Sequence, residues 1–224
     1  MKIKNKVLIL FLFSSIIIMA QELDDKLNNN LISKLDKIFK EDQETRKGFA
    51  TVFQKYGRDG EETKKYLQEM KTKDSLNVIQ VQEILDKYGW LGPEVIGENG
   101  STTLFLVIQH AELSVQEKYL TLMREAVEKG NAKAKDLALL EDRIALRKGG
   151  RQIYGSQIGR DVTTGNLIVL PLENPDMVNE RRAKVGLEPI EDYISRFGLK
   201  WNVEEYKKEL PEIEKRLKEK GNKF

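Results

Sequence analysis

Residues 132–158 read AKAKDLALLEDRIALRKGGRQIYGSQI, and the hydrophobic period changes within this stretch. In its first part the apolar residues recur every three or four positions, which predicts a helix packed through one face. That face contains Leu137, Leu140 and Ile144. Gly149 and Gly150 then predict the end of the helix. From Gln152 onward the alternation has a period of two, which predicts a strand over 152–158.

A second strand is predicted over 166–170, so the two strands form a hairpin over about 152–171. Two strands are only marginally stable alone, and we therefore expect the hairpin to pack on helices. Helical periodicity dominates elsewhere, up to a last helix predicted over 203–220. The predicted fold class is mainly α (α+β): a helical domain with one β-hairpin packed on the helices, plus an N-terminal helical extension.

The first twenty residues differ in composition from the rest of the chain. Lys2, Lys4 and Lys6 form a basic segment without an acid, and the apolar run VLILFLFSSIIIMA follows. This order is typical of a cleaved signal peptide, and the run is shorter than the roughly 20 residues of a membrane-spanning helix. The sequence therefore predicts a periplasmic or secreted protein with no membrane span in the mature chain.

The predicted organisation has four parts. A signal peptide at 1–20 is followed by a helical extension at 21–73. A core domain at 74–200 contains the hairpin, and a charged C-terminal helix occupies 201–224.

The balance of charge restricts the class of partner. The chain has 38 Lys and Arg, 36 Asp and Glu and a formal net charge of +2. Without the predicted signal, which contains three Lys and no acid, 35 bases face 36 acids and the net charge is −1. A surface of mixed sign argues against a nucleic-acid partner. We expect instead an unknown small molecule or a component of the cell envelope.

The common signatures of cofactor, metal and nucleophile chemistry are absent from the sequence. It contains no Cys and one His, so neither a thiolate nucleophile nor a zinc site of ordinary ligands is predicted. Phosphate-binding, dinucleotide-binding and zincin motifs are also absent, and Ser156 does not lie in a serine-hydrolase elbow. We therefore predict no cofactor and no metal.

Several polar residues stand where the pattern favours apolar ones. His110, for example, follows a wholly apolar helical segment, and Asp142 lies among the leucines of its helix. Burying such groups costs about 1–3 kcal/mol each unless they satisfy one another, so they form either a specifying network or the lining of a pocket. The full set is Trp90, His110, Gln116, Asp142, Arg143, Gln152, Tyr154, Ser156 and Gln157.

A resemblance to a known family rests on KYGWLG at 87–92, FLVIQHA at 105–111, LALLEDR at 137–143 and QIYGSQ at 152–157. With these segments the chain resembles the uncharacterised bacterial family called domain of unknown function 6624, in its signal-bearing, Bacteroidetes-type form. The resemblance covers roughly 77–206, includes the Arg181-Arg182 pair and Tyr193, and leaves out the helices before Asp74. It implies no activity. The motif positions that it implies are His110, Gln116, Asp142, Arg143, Gln152, Tyr154 and Gln157.

In a first hypothesis the protein is a hydrolase or transferase that acts on a cell-envelope molecule. His110 is the general base or acid, Asp142 orients it, and Tyr154 positions substrate or donates a proton. The predicted ligand-binding residues are Trp90, Gln116, Arg143, Gln152, Ser156 and Gln157.

In a second hypothesis the protein is a non-catalytic periplasmic ligand-binding or protein-interaction module. The same polar residues then form a ligand pocket or a purely structural network. Geometry distinguishes these cases, because groups around an open cavity can meet a ligand, whereas sealed and mutually paired groups only stabilise the fold.

Overall fold

The computed structural model describes residues 2–161 and 163–219, with side chains from residue 25 onward. Its helices are α1 (Lys2–Tyr56), α2 (Glu61–Tyr88), α3 (Pro93–His110), α4 (Leu113–Glu128), α5 (Ala134–Arg147), α6 (Val178–Lys184), α7 (Ile190–Ser195) and α8 (Val203–Glu219). Between α5 and α6, β1 (Ile158–Arg160) and β2 (Leu167–Val169) form an antiparallel hairpin. The predicted fold class, mainly helical with one hairpin, is confirmed for the described part of the chain.

The chain divides into two compact units. The first comprises Met1–Gln80 and Leu91–Leu104, and the second comprises Val81–Trp90 and Phe105–Phe224. This division does not test the predicted boundaries of the extension, 21–73, and of the core domain, 74–200, which stay predictions.

Apolar burial and two partly buried ion pairs of Arg46 hold the first unit together. Leu35 and Ile38 of α1 are fully buried, as their helical spacing predicts. The guanidinium of Arg46 in α1 lies 3.2 Å from the carboxylate of Asp42, which is one helical turn away. It also lies 3.1 Å from the carboxylate of Asp74, so this arginine joins α1 to α2.

One hydrophobic cluster in the core of the second unit is built from the end of α5, the hairpin and the helices after it. Its buried apolar side chains are Leu146, Val169, Leu170, Leu172, Val178, Ile190, Ile194, Tyr206, Leu210, Ile213 and Leu217. The Tyr206 hydroxyl of α8 accepts a hydrogen bond from the amide of Leu172 (2.8 Å) and donates one to the carbonyl of Leu170 (2.9 Å). Because these bonds secure the chain that leaves β2, α8 is an integral part of this core.

The predicted first strand is wrong over most of its length. Of the predicted 152–158, only Ile158 belongs to β1, and the residues before it form an irregular loop. Gly155 has a φ of +68°, which an extended strand does not allow. The alternation of polar and apolar residues therefore comes from a loop. The second strand is confirmed at Leu167–Val169, within the predicted 166–170.

The two ends of the chain bear on the predicted signal and the predicted last helix. Among the described residues, no helix is both long and apolar enough to cross a membrane. The side chains of the predicted signal peptide, residues 1–20, lie outside the described part, and its cleavage stays a prediction. The predicted C-terminal helix is observed as α8, and residues 220–224 lie outside the described part.

Candidate functional site

Residues 152–157, which we call the motif loop, are held by one buried carboxylate. Asp142 of α5 is fully buried, and its Oδ1 accepts hydrogen bonds from the amides of Ile153 and Tyr154 at 2.6 and 2.9 Å. Its Oδ2 accepts a third hydrogen bond, from the amide of Ser156 at 2.9 Å. Buried amides need partners, and here a side chain of the preceding helix supplies them.

Two opposing effects act on the pKa of Asp142. Burial raises the pKa of this carboxyl above its usual range, because a buried charge is poorly solvated. The three amide N–H groups favour the charged form and partly offset that increase. These contacts show Asp142 holding the motif loop, and its predicted role in orienting His110 stays a prediction.

Gln152 closes the motif loop on itself and ties it to the hairpin. Its side chain is fully buried, and its Oε1 accepts a hydrogen bond from the amide of Gln157 at 2.8 Å. Its Nε2 donates to the carbonyls of Leu170 at 2.8 Å and of Gln157 at 3.1 Å. Every polar atom of this amide is thus used inside the protein, which makes Gln152 a structural residue of the loop.

Arg182 and Tyr193 hold the carbonyl groups of the motif loop. Arg182 of α6 is only 1% exposed, and it donates to the carbonyl of Tyr154 at 2.7 Å. The hydroxyl of Tyr193 in α7 donates to the carbonyl of Ser156 at 2.7 Å. The guanidinium of Arg182 also lies over the Tyr193 ring, 5.0 Å from its centre. The loop is therefore a fixed frame, with its backbone bound from α5, α6 and α7.

A cleft of about 300 Å³ adjoins the motif loop and is open to solvent. The polar side chains that line it are Gln109, His110, Arg143, Ser156, Gln157 and Tyr193. The apolar ones are Phe105, Leu106, Leu139, Ile158 and Phe197. Small-molecule sites have volumes of roughly 300–1,000 Å³ and combine apolar walls with a few polar groups, so this cleft suits a small ligand.

Two basic side chains line the cleft. His110 is the last residue of α3, and Arg143 belongs to α5. Successive residues of a helix lie about 100° apart around its axis, so Asp142 reaches the motif loop while Arg143 reaches the cleft. Both basic side chains are half-buried, and their N–H groups can donate to an anionic or carbonyl group of a ligand.

Two buried glutamines join the end of α3 to its neighbours. Gln109 is 4% exposed, and its Nε2 donates to the carbonyl of Leu139 over a long 3.4 Å. Gln116 of α4 is fully buried, and its Nε2 donates to the carbonyl of Gln109 at 2.8 Å. The Oε1 atoms of both side chains have no hydrogen-bond partner within the part of the chain that the structure describes.

Ser156 is not placed as a free nucleophile. Its Oγ accepts a hydrogen bond from Nε2 of Gln157 at 2.9 Å. The nearby hydroxyl also favours the charged form of Asp142 and so lowers the pKa of that carboxyl. Nucleophilic attack by this Oγ on a substrate would compete with its bond to Gln157.

The structure brings together only part of the predicted set. His110, Arg143, Ser156 and Gln157 line the cleft, whereas the other predicted residues are not among its lining groups. Those other residues are Trp90, Gln116, Asp142, Gln152 and Tyr154.

Trp90 is buried in its own loop, where its carbonyl accepts a hydrogen bond from Nδ2 of Asn131 at 3.4 Å. Burial and the nearby carboxylate of Glu141 raise the pKa of the Tyr154 phenol.

Sequence reasoning missed several residues of the site. Gln109 and Phe197 line the cleft, and nothing in their local pattern marked them. Tyr193 and the Arg181-Arg182 pair stood within the family resemblance but received no role. Arg181 donates to the carbonyl of Ile153 at 2.7 Å. The signal available in the sequence was the place of these residues within the family resemblance, whereas the burial that gives Arg182 its role is visible only in the structure.

The polar groups of the cleft are better suited to an organic ligand than to a metal ion. An imidazole, a guanidinium, two amides and two hydroxyls line it, and none of these is a carboxylate. Among the described residues, no three His, Cys, Asp or Glu side chains lie close enough to hold a metal ion.

Comparison with known proteins gives one match. The chain matches the family described as Family of unknown function (DUF6624) over residues 32–202. The match begins well before residue 77, so it includes the part of α1 from residue 32 onward, which the motif resemblance left out. No curated protein and no solved structure matches the chain.

Proposed function

The chain belongs to this family of unknown function, and we propose that its cleft binds a small molecule with an anionic or carbonyl group and an apolar part. The observation that carries the proposal is the open cleft beside a fixed loop, where two basic side chains and two amides meet an apolar wall. Such a pre-formed combination is typical of small-molecule sites.

The arrangement favours binding over catalysis as the first function. Of the three predicted catalytic residues, only His110 lines the cleft, while Asp142 is engaged with the motif loop. A binding site needs only fixed donors and an apolar surface, and both are present without further movement.

A thermal-shift measurement tests the binding proposal. We expect hexanoate, methyl hexanoate or the N-methylated hexanamides, at millimolar concentration, to raise the melting temperature of the protein. A ligand that binds the folded state stabilises it. Arg143→Gln should reduce the shift. Arg124→Gln removes an exposed arginine that pairs with Glu141 outside the cleft, and it should leave the shift unchanged. Absence of any shift with all these compounds contradicts the proposal, as does equal behaviour of the two variants.

A second candidate function is acid–base catalysis by His110, as a hydrolase or transferase acting on a cell-envelope molecule. It is favoured by one observation: the sequence contains a single His, and that residue lines the cleft. In this case the protein hydrolyses p-nitrophenyl hexanoate above the buffer rate, and His110→Gln loses the activity at an unchanged melting temperature. Full activity in His110→Gln contradicts the catalytic role.

The proposed place of action is the periplasm or the exterior of the cell. The support is the basic and apolar N-terminal sequence before a mature chain of balanced charge. Mass spectrometry of the protein purified from its natural host tests this, and we expect a mature N-terminus near residue 21. An intact Met1 in the membrane fraction contradicts cleaved export.

A further inference from the structure

We infer that the ligand of the cleft presents a secondary amide, with its N–H and its C=O recognised by Gln109 and Gln157. The inference rests on the proposed binding function and goes further by naming the chemical group that is bound. It depends on which hydrogen-bonding atoms the walls of the cleft leave unused.

The first wall offers an acceptor. Gln109 lines the cleft from α3, and its Nε2 is directed to the carbonyl of Leu139. This contact determines which end of the amide is the oxygen, because the reverse orientation would bring two oxygens together. The Oε1 atom is buried and has no partner among the described residues. A buried acceptor without a partner is unfavourable, and a ligand N–H that bonds to it once the side chain turns toward the cleft removes this penalty.

The Gln109 side chain is also able to adjust to a ligand. Its contact with Leu139 is 3.4 Å long, which is beyond the usual range for such bonds. Turning the amide toward the cleft therefore breaks only a weak hydrogen bond. The backbone carbonyl of Gln109, in contrast, is held by the 2.8 Å hydrogen bond from Gln116. The side chain can therefore rotate while the backbone stays in place.

The second wall offers a donor. Gln157 lines the cleft from the motif loop, and its Nε2 donates one hydrogen bond, to Oγ of Ser156 at 2.9 Å. A primary amide nitrogen has two N–H groups, so the other remains for a ligand carbonyl. The backbone amide and carbonyl of Gln157 are both bonded to the side chain of Gln152, which fixes the position of this donor.

A secondary amide matches these two walls better than the alternatives do. The acceptor belongs to α3 and the donor to the motif loop, so the ligand must present its donor and its acceptor on different atoms. The N–H and C=O of a secondary amide point in opposite directions and do this. A carboxylate or an ester has only acceptors and leaves Gln109 without a partner. The apolar lining beside them, including Phe105, Leu139 and Phe197, suits an acyl chain.

Four probes of similar shape test the inference on the full chain by isothermal calorimetry. They are N-methylhexanamide, N,N-dimethylhexanamide, methyl hexanoate and hexanoate. We expect N-methylhexanamide to bind about tenfold more tightly than the two neutral probes that lack an N–H, equivalent to ~1.4 kcal/mol. Equal or tighter binding of the dimethyl amide, the ester or hexanoate overturns the amide inference.

Variants at the two walls assign the contacts. In Gln109→Leu, N-methylhexanamide and methyl hexanoate should bind with about equal affinity, because the acceptor for the N–H is gone. In Gln157→Leu, all carbonyl probes should weaken while the amide preference stays. Retained preference in a folded Gln109→Leu protein overturns the assignment of Gln109. If Gln109→Leu does not fold, the affinities of the four probes for the unaltered protein still decide whether the cleft prefers a secondary amide.

The outcomes also separate this inference from the proposed function. Binding of hexanoate without preference for the amide leaves the binding function standing and overturns the amide. No binding by any of the four probes overturns both. A secondary amide could come from an N-acylated peptide or from an acetamido sugar. N-acetylalanine methylamide is the probe for the peptide and N-acetylglucosamine is the probe for the sugar. Preferential binding of either probe supports the inference.

Discussion

At Asp142, one carboxylate satisfies three amides of a loop that would otherwise be buried without partners. The neighbouring Arg143 lines the cleft instead. Two adjacent residues of α5 therefore have different functions, because each step along a helix turns the side chain by about 100°.

Asp142→Asn should destabilise the protein by about 2–4 kcal/mol, because the amide nitrogen of Asn cannot accept the hydrogen bonds that a carboxylate oxygen accepts. Urea unfolding measures the change. Glu180→Gln makes the same chemical change at an exposed position of α6 and should cost less than about 0.5 kcal/mol. Similar losses in the two variants would show that Asp142 does not hold the motif loop.

Asp161 is predicted to make a pH-dependent contribution at the hairpin turn. Its pKa is lowered from 3.8, first by the amide of Thr164, then by the amide of Thr163 and by Arg216. A lowered folded-state pKa adds stability that is fully present above the unfolded value of 3.8 and is lost as the pH falls through the folded value.

The variant Asp161→Asn should therefore be less stable than the unaltered protein at pH 7, by about 1–2 kcal/mol. This difference should persist down to about pH 4 and shrink below it. Urea titrations at a series of pH values measure it. A difference that grows as the pH falls is the opposite sign and contradicts the assignment.

At the scale of elements, the motif loop replaces the strand that its alternating sequence predicts. Gly155 has a φ of +68°, and a Cβ at this position would lie 2.7 Å from Cδ1 of Ile190. Glycine is therefore needed for two reasons, its backbone conformation and the close approach of α7. A side chain at this position would require Ile190 of α7, which is fully buried, to shift.

Gly155→Ala should lower the free energy of unfolding more than Gly165→Ala does. Both glycines have positive φ, but a Cβ at Gly165 would meet nothing within 4 Å, so Gly165→Ala measures the backbone strain alone. We expect about 1 kcal/mol for Gly165→Ala and about 2–4 kcal/mol for Gly155→Ala, which adds the clash with Ile190. Thermal unfolding of both variants tests this, and equal losses contradict the role of the close approach.

At the scale of the whole molecule, the core of the second unit extends beyond the family match. The match ends at residue 202, whereas α8 begins at Val203 and buries Tyr206, Leu210, Ile213 and Leu217. α8 therefore completes the apolar core on which β2 and α7 pack.

Ile213→Ala should lower the free energy of unfolding by about 2–4 kcal/mol, because a side chain that is 2% exposed leaves a cavity when it is shortened. Lys208→Ala, at an exposed position of the same helix, should change it by less than about 0.5 kcal/mol. Denaturant unfolding of both proteins is the measurement. A negligible loss in Ile213→Ala would mean that α8 is dispensable to the core.

Helix positions were predictable wherever the apolar period was regular and ended in glycine, as in α5 and its Gly149-Gly150 stop. The motif loop was not, because its alternation imitates a strand while the φ of Gly155 forbids one. The candidate site was predicted in part. His110, Arg143 and Gln157 were named from their local pattern, whereas Gln109 and Tyr193 became recognisable only from their positions around the cleft.

The sequence by itself determined the helical character, the second strand of the hairpin and the set of polar residues that had to be either hydrogen-bonded or exposed. Periodicity carries this information because it reports which face of an element avoids water. The tertiary structure alone decided which polar residues hold the motif loop and which line the cleft. That division depends on partners far apart in the chain, such as Arg182 and the carbonyl of Tyr154, and only the packing of separate elements brings such groups within hydrogen-bonding distance.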